Sequence, residues 1–588
     1  ISKAKEDRPE LKIVVIDPRK TATCDIADLH LPIKSGSDVA LFNGLLNYLH
    51  QHEYIDREFI KNHSNGFLAA LVSAQKHDLQ QTAETCGLTQ ADIETFYQLF
   101  AANEKTVTLY SQGVNQSSSG SDNSNSIINC HIATGRIGKI GMGPFSITGQ
   151  PNAMGGREVG GLSNQLAAHM ELENPQHHDL VSRFWQTDTL ASTAGGKAVE
   201  LFNDVDTGKI KAIWIMATNP VVSMPDADRV KAALDKCELV IVSDCDKYTD
   251  TTQFADVLLP AQAWGEKDGT VTNSERRISH QRQFLPVAGQ AKPDWWIISQ
   301  VANRMGFGDK FQYQTPVEIF REHAALSSFE NNGSRDFDLG AMATISGNEY
   351  DALQPIQWPV TTTNKNGTVR LFEDKKFFTA SGKANFIAVT ASPPVNAPTE
   401  KYSLILNTGR VRDQWHTMTR TARSAKLNGH IPEPMLEIHP DDAQTWKLEE
   451  GALAQINSEW GKMIARVQIS DTQINGSVFI PMHWNAQYAA LARVGALINP
   501  VVDPVSGQPE YKHTPVNVAA YTPVWHGFIL SRESINLSED VHYWVKIKGE
   551  QFWRYELAGE ELIDEPKTWA KALLKEEGDC LEFVDQGT

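Results

Sequence analysis

The residues that follow the predicted strand Ser403–Asn407 combine hydroxyl, cationic and aromatic side chains within a short stretch. Guanidinium groups and hydroxyls at a glycine turn suit a pyrophosphate or another anion with several oxygens. Solvated charges on a surface loop are the alternative interpretation of this stretch taken alone. The residues concerned are Thr408, Gly409, Arg410, Arg412, Trp415, His416, Thr417 and Arg420.

Polar side chains also follow three predicted strands elsewhere in the chain. Open parallel sheets bind nucleotides in the crevice at the carboxyl ends of their strands, whereas a single polar residue there often only caps the next helix. Three such ends favour a nucleotide site. They are Asp17-Pro18-Arg19 after Leu11–Ile16, Ala217-Thr218-Asn219-Pro220 after Ile210–Met216, and Ser243-Asp244 after Leu239–Val242.

Two further segments and one lysine admit more than one interpretation. Gly113–Asn125 is rich in Ser, Asn and Gly, which predicts either a flexible linker or a loop that wraps a polar ligand. Gly135–Gly161 matches neither G-x-G-x-x-G nor the P-loop pattern, so its glycines predict tight turns or close backbone approach. Lys267 is either a phosphate partner or an ordinary surface lysine.

Length and composition limit the class of protein in which these residues can lie. The 588 residues predict several domains, and 54 Lys+Arg against 72 Asp+Glu leave a net charge of -18. This acidity argues against a nucleic-acid or anionic-membrane surface, and no apolar run approaches the roughly 20 residues that span a bilayer. The six scattered cysteines form no C-x-x-C pair, which favours a reducing compartment and predicts neither a disulfide scaffold nor a Cys-ligated metal site.

The elements that must position these residues predict an α/β fold with open parallel sheets and a C-terminal β-barrel-like domain. Asp38 could cap the helix Val39–His50, and Thr106–Tyr110 is another strand. The residues alone thus predict an acidic multidomain α/β protein that binds a large phosphorylated cofactor between domains. The predicted divisions are an α/β domain over 1–130, a second over 131–310, an irregular insertion and linker over 311–400, the barrel-like domain over 401–525 and a tail over 526–588.

Several stretches, in their order and spacing, resemble the molybdopterin oxidoreductase family over nearly the whole chain to about residue 525. The GQPNAMGGREVGG and TGRVRDQWHTMTRT stretches are most similar to bacterial assimilatory nitrate reductases. The other matching stretches are VVIDPRKTATCDIADLHLPIKSGSDVALFNGL, LYSQGVNQSSSGSDNSNSIINCHIATGRIG, ATNPVVSMPD, ADVLLPAQAWGEKDGTVTNSERRIS and NPVVDPVSGQPEYKHTPV.

The resemblance implies a molybdenum bis(molybdopterin guanine dinucleotide) cofactor and assigns residues to it. Arg19, Gly36 and Asp38 would hold one guanosine end, with Gln112 and Gln116 nearer the pterin. The other dinucleotide would be held by Asn219, Ser243, Asp244, Lys267 and Asp294. The pterin-binding loop of the last domain would supply Thr408, Gly409, Arg410, Trp415, His416 and Thr417, joined by Asn499 and Lys512.

The resemblance also implies reduction of nitrate to nitrite, with Met154 and Arg157 near the substrate. A guanidinium suits a planar oxyanion, although Arg157 could instead pair with Glu158 or a helix end. Formate dehydrogenase and periplasmic nitrate reductase are the alternatives within the family. A molybdenum-free scaffold like the iron–sulfur subunit of respiratory complex I is the non-enzyme alternative. The implied electron donor is a reductase subunit, ferredoxin or flavodoxin, and the implied compartment is the cytoplasm.

The sequence departs from the family pattern at its beginning. Family members carry a Cys-rich [4Fe–4S] segment and a Cys ligand to molybdenum upstream of the strand at Leu11, and Cys24 lies after that strand. We therefore expect no metal ligand in this chain, a longer parent enzyme that carries the cluster, and a fragment that is inactive and free of cofactor.

Overall fold

The computed structural model describes residues 1–537 and 541–574, and it confirms the predicted α/β fold with a C-terminal barrel. None of the helices in these two ranges is long and apolar enough to cross a membrane. Five cysteines are free thiols, and the sixth, Cys580, lies outside the described residues.

The first unit packs helices against two short parallel strand pairs. β1 pairs with β2, and β4 pairs with β5. Leu41, Leu45 and Ile127 are completely or almost completely buried in the core of this unit. The helices are α1 (Ser2–Asp7), α2 (Asp38–Gln51), α3 (Arg57–His63), α4 (Phe67–Ala74), α5 (Leu79–Cys86), α6 (Gln90–Ala102), α7 (Gln112–Asn115) and α8 (Gly120–Ala133). The strands are β1 (Val14–Ile16), β2 (Leu29–Leu31), β3 (Ser64–Asn65), β4 (Val107–Tyr110) and β5 (Gly143–Ser146).

Two predictions for this unit are wrong. The helix predicted over Val39–His50 begins at Asp38 itself, so Ser37 is the N-cap and Asp38 makes no capping hydrogen bond. Gly113–Asn125 is neither linker nor open loop, because most of it lies in α7 and the first turns of α8. The apolar residues after Ser126 pack α8 against α2, and this burial outweighs the poor helix propensity of Ser and Asn.

The second unit contains a parallel sheet in the order β10-β9-β8 and an antiparallel sheet in the order β11-β12-β13. Its strands are β6 (Gln165–Leu166), β7 (Met170–Glu171), β8 (Ala212–Met216), β9 (Leu239–Asp244), β10 (Val257–Pro260), β11 (Gly269–Thr272), β12 (Arg277–Gln281) and β13 (Ile356–Gln357). Its helices are α9 (Ala153–Glu158), α10 (Pro175–Trp185), α11 (Ala198–Asp206), α12 (Pro220–Ser223), α13 (Ala227–Lys236), α14 (Asp294–Ala302), α15 (Pro316–Ser328) and α16 (Gly347–Asp351).

The stretch 311–400 holds more regular structure than its weak periodicity predicts. It supplies α15, α16 and β13 to the second unit, where Phe337 and Trp358 are almost completely buried. The short strand β14 (Ala384–Asn385) then returns to the first unit and pairs in parallel with β3. The stretch is rich in turn residues, and the contacts that stabilise its elements are made with residues far away in the sequence, so local patterns do not predict them.

The last part of the chain forms a closed six-stranded barrel and a three-stranded sheet beside it. The barrel has the order β15-β19-β16-β18-β17-β20, and Leu406, Leu436 and Val478 are completely buried inside it. Its elements are β15 (Leu404–Gly409), β16 (Met435–Ile438), β17 (Leu453–Asn457), β18 (Lys462–Ile469), β19 (Ser477–Pro481), β20 (Thr514–Tyr521), α17 (Ala425–Asn428) and α18 (Pro440–Thr445). The predicted tail holds β21 (Trp525–Ser531), β22 (Tyr543–Lys548), β23 (Trp553–Gly559) and α19 (Pro566–Leu574).

Candidate cofactor and active site

The parallel sheet brings its polar strand ends to one edge, as the sequence predicts. In the register of the sheet, Ser243 lies between Met216 of β8 and Leu259 of β10. Asn219 follows β8 and Asp244 ends β9, so amide, hydroxyl and carboxylate share this edge. Burial raises the pKa of Asp244, which therefore holds its proton more readily than an exposed aspartate.

Several residues that are predicted to bind the cofactor already form hydrogen bonds or ion pairs within the protein. Ser243 is completely buried, and its hydroxyl oxygen accepts a hydrogen bond from Trp214 Nε1 at 2.8 Å. Lys267 Nζ lies 3.0 Å from Asp294 Oδ2, so two residues predicted to hold one dinucleotide pair with each other. Asn219 Oδ1 accepts from Thr251 Oγ1 at 2.6 Å.

Three of the predicted cofactor-binding residues each have one buried polar side-chain atom that forms no hydrogen bond with any described residue. These atoms are Arg19 Nε, Asn219 Nδ2 and Asp294 Oδ1. A buried polar atom without a hydrogen bond costs about 1–3 kcal/mol, so a polar ligand or a water molecule at these atoms would be stabilised. The donor and acceptor chemistry at these positions fits a nucleotide.

The turn after β1 meets the barrel directly. Arg19 Nη2 lies 2.6 Å from Glu437 Oε2, and its guanidinium carbon lies 3.5 Å from the centre of the Phe479 ring. Gly36 has φ +82°, and a Cβ there would lie 2.4 Å from Pro394 Cγ, so glycine is required at this approach. Burial raises the pKa of Asp38 to about 6.

Lys512 occupies the centre of this contact. Its ammonium donates to the carbonyl of Thr408, and burial lowers its pKa to about 8, with Arg410 and Arg19 adding repulsion. Asp17 acts in the opposite direction, because its carboxylate favours the charged lysine. The structure thus brings the strand ends of the first unit and of the barrel into one electropositive cluster.

The loop after β15 is held by a residue that the sequence did not single out. β15 and β19 run in parallel, so their carboxyl ends meet and His483 lies beside the loop 409–418. His483 Nε2 accepts from the Val411 amide at 3.0 Å, and its Nδ1 donates to the His416 carbonyl at 2.8 Å. Only its position after a parallel neighbour of β15 could have indicated this role.

Arg410 is the cation of this loop that remains available. Arg412 pairs with Asp413, whereas Arg410 has no ion-pair partner among the described residues, and its guanidinium carbon lies 5.1 Å from the Trp415 ring centre. A Cβ on Gly149 would lie 2.5 Å from Arg410 Nη1, so the glycine-rich stretch approaches the barrel loop here. The Thr417 carbonyl accepts a hydrogen bond from Asn485 Nδ2. Asn499 Nδ2 donates to the His513 carbonyl at 2.7 Å.

The serine-rich helix start also reaches the barrel. Ser118 donates its amide and hydroxyl to Glu510 Oε1 at 2.9 and 2.6 Å, and Ser121 donates both groups to Asp503 at 3.0 and 2.8 Å. Gln112 and Gln116 lie at the two ends of α7, directly before these contacts.

The predicted substrate residues Met154 and Arg157 lie on the short helix α9. Met154 packs against the core of the second unit, whereas the Arg157 side chain is exposed. Burial raises the pKa of Tyr110 at the end of β4, and the positive charge of Arg157 opposes a part of this shift. The alternative pairing with Glu158 is not formed, because Glu158 contacts Thr272 and Trp358 instead.

The parallel strand ends, the barrel and the cationic cluster between them form a candidate site for a phosphorylated ligand, as in proteins that bind nucleotides at strand ends. The family model described as "Molybdopterin oxidoreductase" matches residues 1–304, and "Molydopterin dinucleotide binding domain" matches residues 404–515. The chain belongs to the molybdopterin oxidoreductase family.

Curated relatives agree with this assignment, and a solved structure has the same fold. A nitrate reductase of Klebsiella oxytoca is 50% identical over 92% of this chain, and the chain spans 61% of that relative. The assimilatory nitrate reductase catalytic subunit of Bacillus subtilis is 34% identical over 86% of this chain and 70% of its own. Acetylene hydratase from Pelobacter acetylenicus has the same fold, with a TM-score of 0.67, 19% identity and coverage of 88% and 75% of the two chains.

Proposed function

We propose that the full-length protein is a molybdenum-dependent nitrate reductase that serves nitrate assimilation. The observation that carries the proposal is the exposed Arg157 guanidinium on α9, whose neighbouring carboxylate Glu158 bonds Thr272 and Trp358 instead. A guanidinium matches a planar oxyanion through two parallel hydrogen bonds. The nitrate reductases among its relatives support the same substrate.

The proposed cofactor is molybdenum bis(molybdopterin guanine dinucleotide), which would supply the two-electron redox chemistry when bound. The unpartnered atoms of Arg19, Asn219 and Asp294 support its two nucleotide ends. Lys512 and Arg410 offer cations for pyrophosphate, and Gly149 and Gly409 let the backbone pack closely against Arg410 and Phe479. The remaining proposed contacts are Gly36, Asp38, Gln112, Gln116, Ser243, Asp244, Lys267, Thr408, Trp415, His416, Thr417 and Asn499.

The overall reaction joins nitrate, two protons and two electrons to give nitrite and water. In this proposal Arg157 attracts nitrate and fixes its orientation, and Met154 forms an apolar side of the same position. Fixed charges of this kind accelerate a reaction most when they hold the reacting group without rearranging. The electrons would come from a reductase subunit, ferredoxin or flavodoxin through a [4Fe–4S] cluster, in the cytoplasm. A twin-arginine leader encoded upstream would overturn the choice of compartment.

The test uses the full-length, molybdenum-loaded enzyme with reduced methyl viologen as donor. We expect nitrite formation from nitrate and no oxidation of formate. In Arg157→Ala we expect kcat/KM for nitrate to fall at least 100-fold, because the oxyanion loses a charge-assisted contact, while molybdenum content is unchanged.

The matched control is Arg304→Ala, which removes an exposed arginine from the turn after α14. It should leave nitrate turnover within twofold of the wild type. Formate oxidation without nitrate reduction would refute the proposed substrate. Unchanged kcat/KM in Arg157→Ala would refute the role of Arg157 alone.

A further inference from the structure

The helix that carries Arg157 and Met154 cannot fix their direction by itself. α9 has only six residues, and Gly155 and Gly156 lie in its middle. Isolated helices of this length are unstable in water, and glycine is among the poorest helix formers. The chain leaves the helix through Gly160, whose φ is +73°. The orientation of α9 must therefore come from contacts with other elements.

Both ends of α9 are held by one residue, Thr272, the last of strand β11. Its backbone amide donates to Asn152 Oδ1 at 2.9 Å, at the start of the helix. Its hydroxyl donates to Glu158 Oε2 at 2.8 Å, at the end of the helix. Thr272 is 2% exposed and Glu158 is 4% exposed, so water does not compete for these two bonds.

Glu158 is anchored a second time, from the opposite carboxylate oxygen. Trp358 Nε1 donates to Glu158 Oε1 at 2.6 Å, and the Ala168 amide donates to the Glu158 carbonyl at 2.7 Å. Both oxygens of the carboxylate thus receive neutral donors, and burial raises its pKa. A buried carboxylate without a bonded cation is costly, which indicates a role that a simple apolar residue would not fulfil.

The consequence for Arg157 follows from helix geometry. Consecutive residues of an α-helix point about 100° apart, so holding Glu158 inward turns Arg157 outward. The two hydrogen bonds also occupy the carboxylate that would otherwise pair with Arg157. Its guanidinium is thereby kept exposed.

We propose that Thr272 and Glu158 are positioning residues that clamp both ends of α9 and so set the direction of Arg157. This inference rests on the proposed nitrate reduction, for which Arg157 is the substrate-binding residue. The clamp itself is a property of the protein that can be measured without turnover.

The test compares Thr272→Val with Thr272→Ser in the full-length, molybdenum-loaded enzyme. Valine keeps the shape and the backbone amide but removes the hydroxyl that holds Glu158. We expect KM for nitrate to rise at least tenfold with kcat changed less than threefold, because an Arg157 guanidinium that is no longer held in one direction binds the oxyanion less tightly. Serine retains the hydroxyl and should restore KM to within twofold of the wild type.

Hydrogen–deuterium exchange of the same proteins gives a second readout. In Thr272→Val, amides of residues 154–158 should exchange at least tenfold faster, while those of the barrel strands stay unchanged. Should Thr272→Val fail to accumulate as folded protein, Glu158→Gln serves as the second variant, since its amide group can accept only one of the two side-chain bonds.

Unchanged KM and unchanged exchange in Thr272→Val would overturn the inference, as would a Thr272→Ser variant as impaired as the valine. A wild-type enzyme that does not reduce nitrate would refute the proposed function instead. In that case the exchange experiment still decides whether Thr272 and Glu158 clamp α9.

Discussion

Lys512 illustrates how a single buried cation links the candidate site to stability. Its folded-state pKa is about 8, whereas an unfolded lysine has a pKa of about 10.4. The folded chain therefore binds fewer protons between these values, and the free energy of unfolding rises with pH across this window. Below pH 8 the charged ammonium lies in a site that disfavours it.

We predict that Lys512→Met loses this pH dependence. Between pH 7.5 and pH 10, wild type should gain up to about 2 kcal/mol in unfolding free energy relative to the variant. Urea unfolding at the two pH values measures the difference. Lys462→Met, at an exposed strand position, is the control and should follow the wild type. Parallel changes in wild type and Lys512→Met would contradict the prediction.

Residue types in the sequence were enough to predict an anion site in the loop after β15, but not the residues that support this loop. Arg410 follows a strand at a glycine turn, and that local pattern predicts an anion site. Glu437, Thr272 and His483 are separated by long stretches of chain from the residues they contact. Their roles depend on how strands pair, which no local pattern in one sequence specifies.

At the scale of elements, the loop after β15 depends on an uncharged histidine. Burial lowers the pKa of His483 to about 4, and its Nε2 must remain unprotonated to accept from the Val411 amide. An unfolded histidine has a pKa of about 6.5. The stabilisation is thus complete above pH 6.5 and is lost progressively as pH falls toward 4.

We predict that wild type loses about 2 kcal/mol more unfolding free energy than His483→Gln between pH 7 and pH 5. Urea unfolding at both pH values provides the measurement. His131 and His323 also have lowered pKa values, so only the difference between the two proteins reports on His483. His526→Gln, on the exposed side of β21, should behave like the wild type, and equal losses in all three proteins would exclude this role.

The elements differ in how well the sequence predicts them. The strand predicted over Ser403–Asn407 lies close to β15 (Leu404–Gly409), whose residues alternate between buried and half-buried with a period of two. The serine-rich segment misled the prediction because its composition is typical of linkers. Its helix forms through burial of Ile127 and Cys130 against α2, a tertiary effect that local propensity does not contain.

At the scale of the whole molecule, Asp503 and Glu510 join the barrel to the first unit through Ser118 and Ser121. In Asp503→Ala/Glu510→Ala we expect amide exchange in the first turn of α8 to increase at least tenfold, because these amides lose carboxylate acceptors. Exchange within the barrel strands should not change. Asp471→Ala/Glu459→Ala removes two exposed acids as a matched control. Full protection of α8 in the first double variant would show that other contacts hold the units together.

The return of β14 to the first unit has a consequence for synthesis on the ribosome. Asn43 and Asn129 of the first unit donate to the carbonyls of Val389 and Ile387, and β3 pairs with Ala384–Asn385. These partners emerge about 250 residues after α8, which at roughly 5–20 residues per second is a delay of about 12–50 s. The nascent first unit therefore lacks these contacts while the second unit is being translated. A gene segment that ends after α8 would encode a first unit that lacks part of its own core.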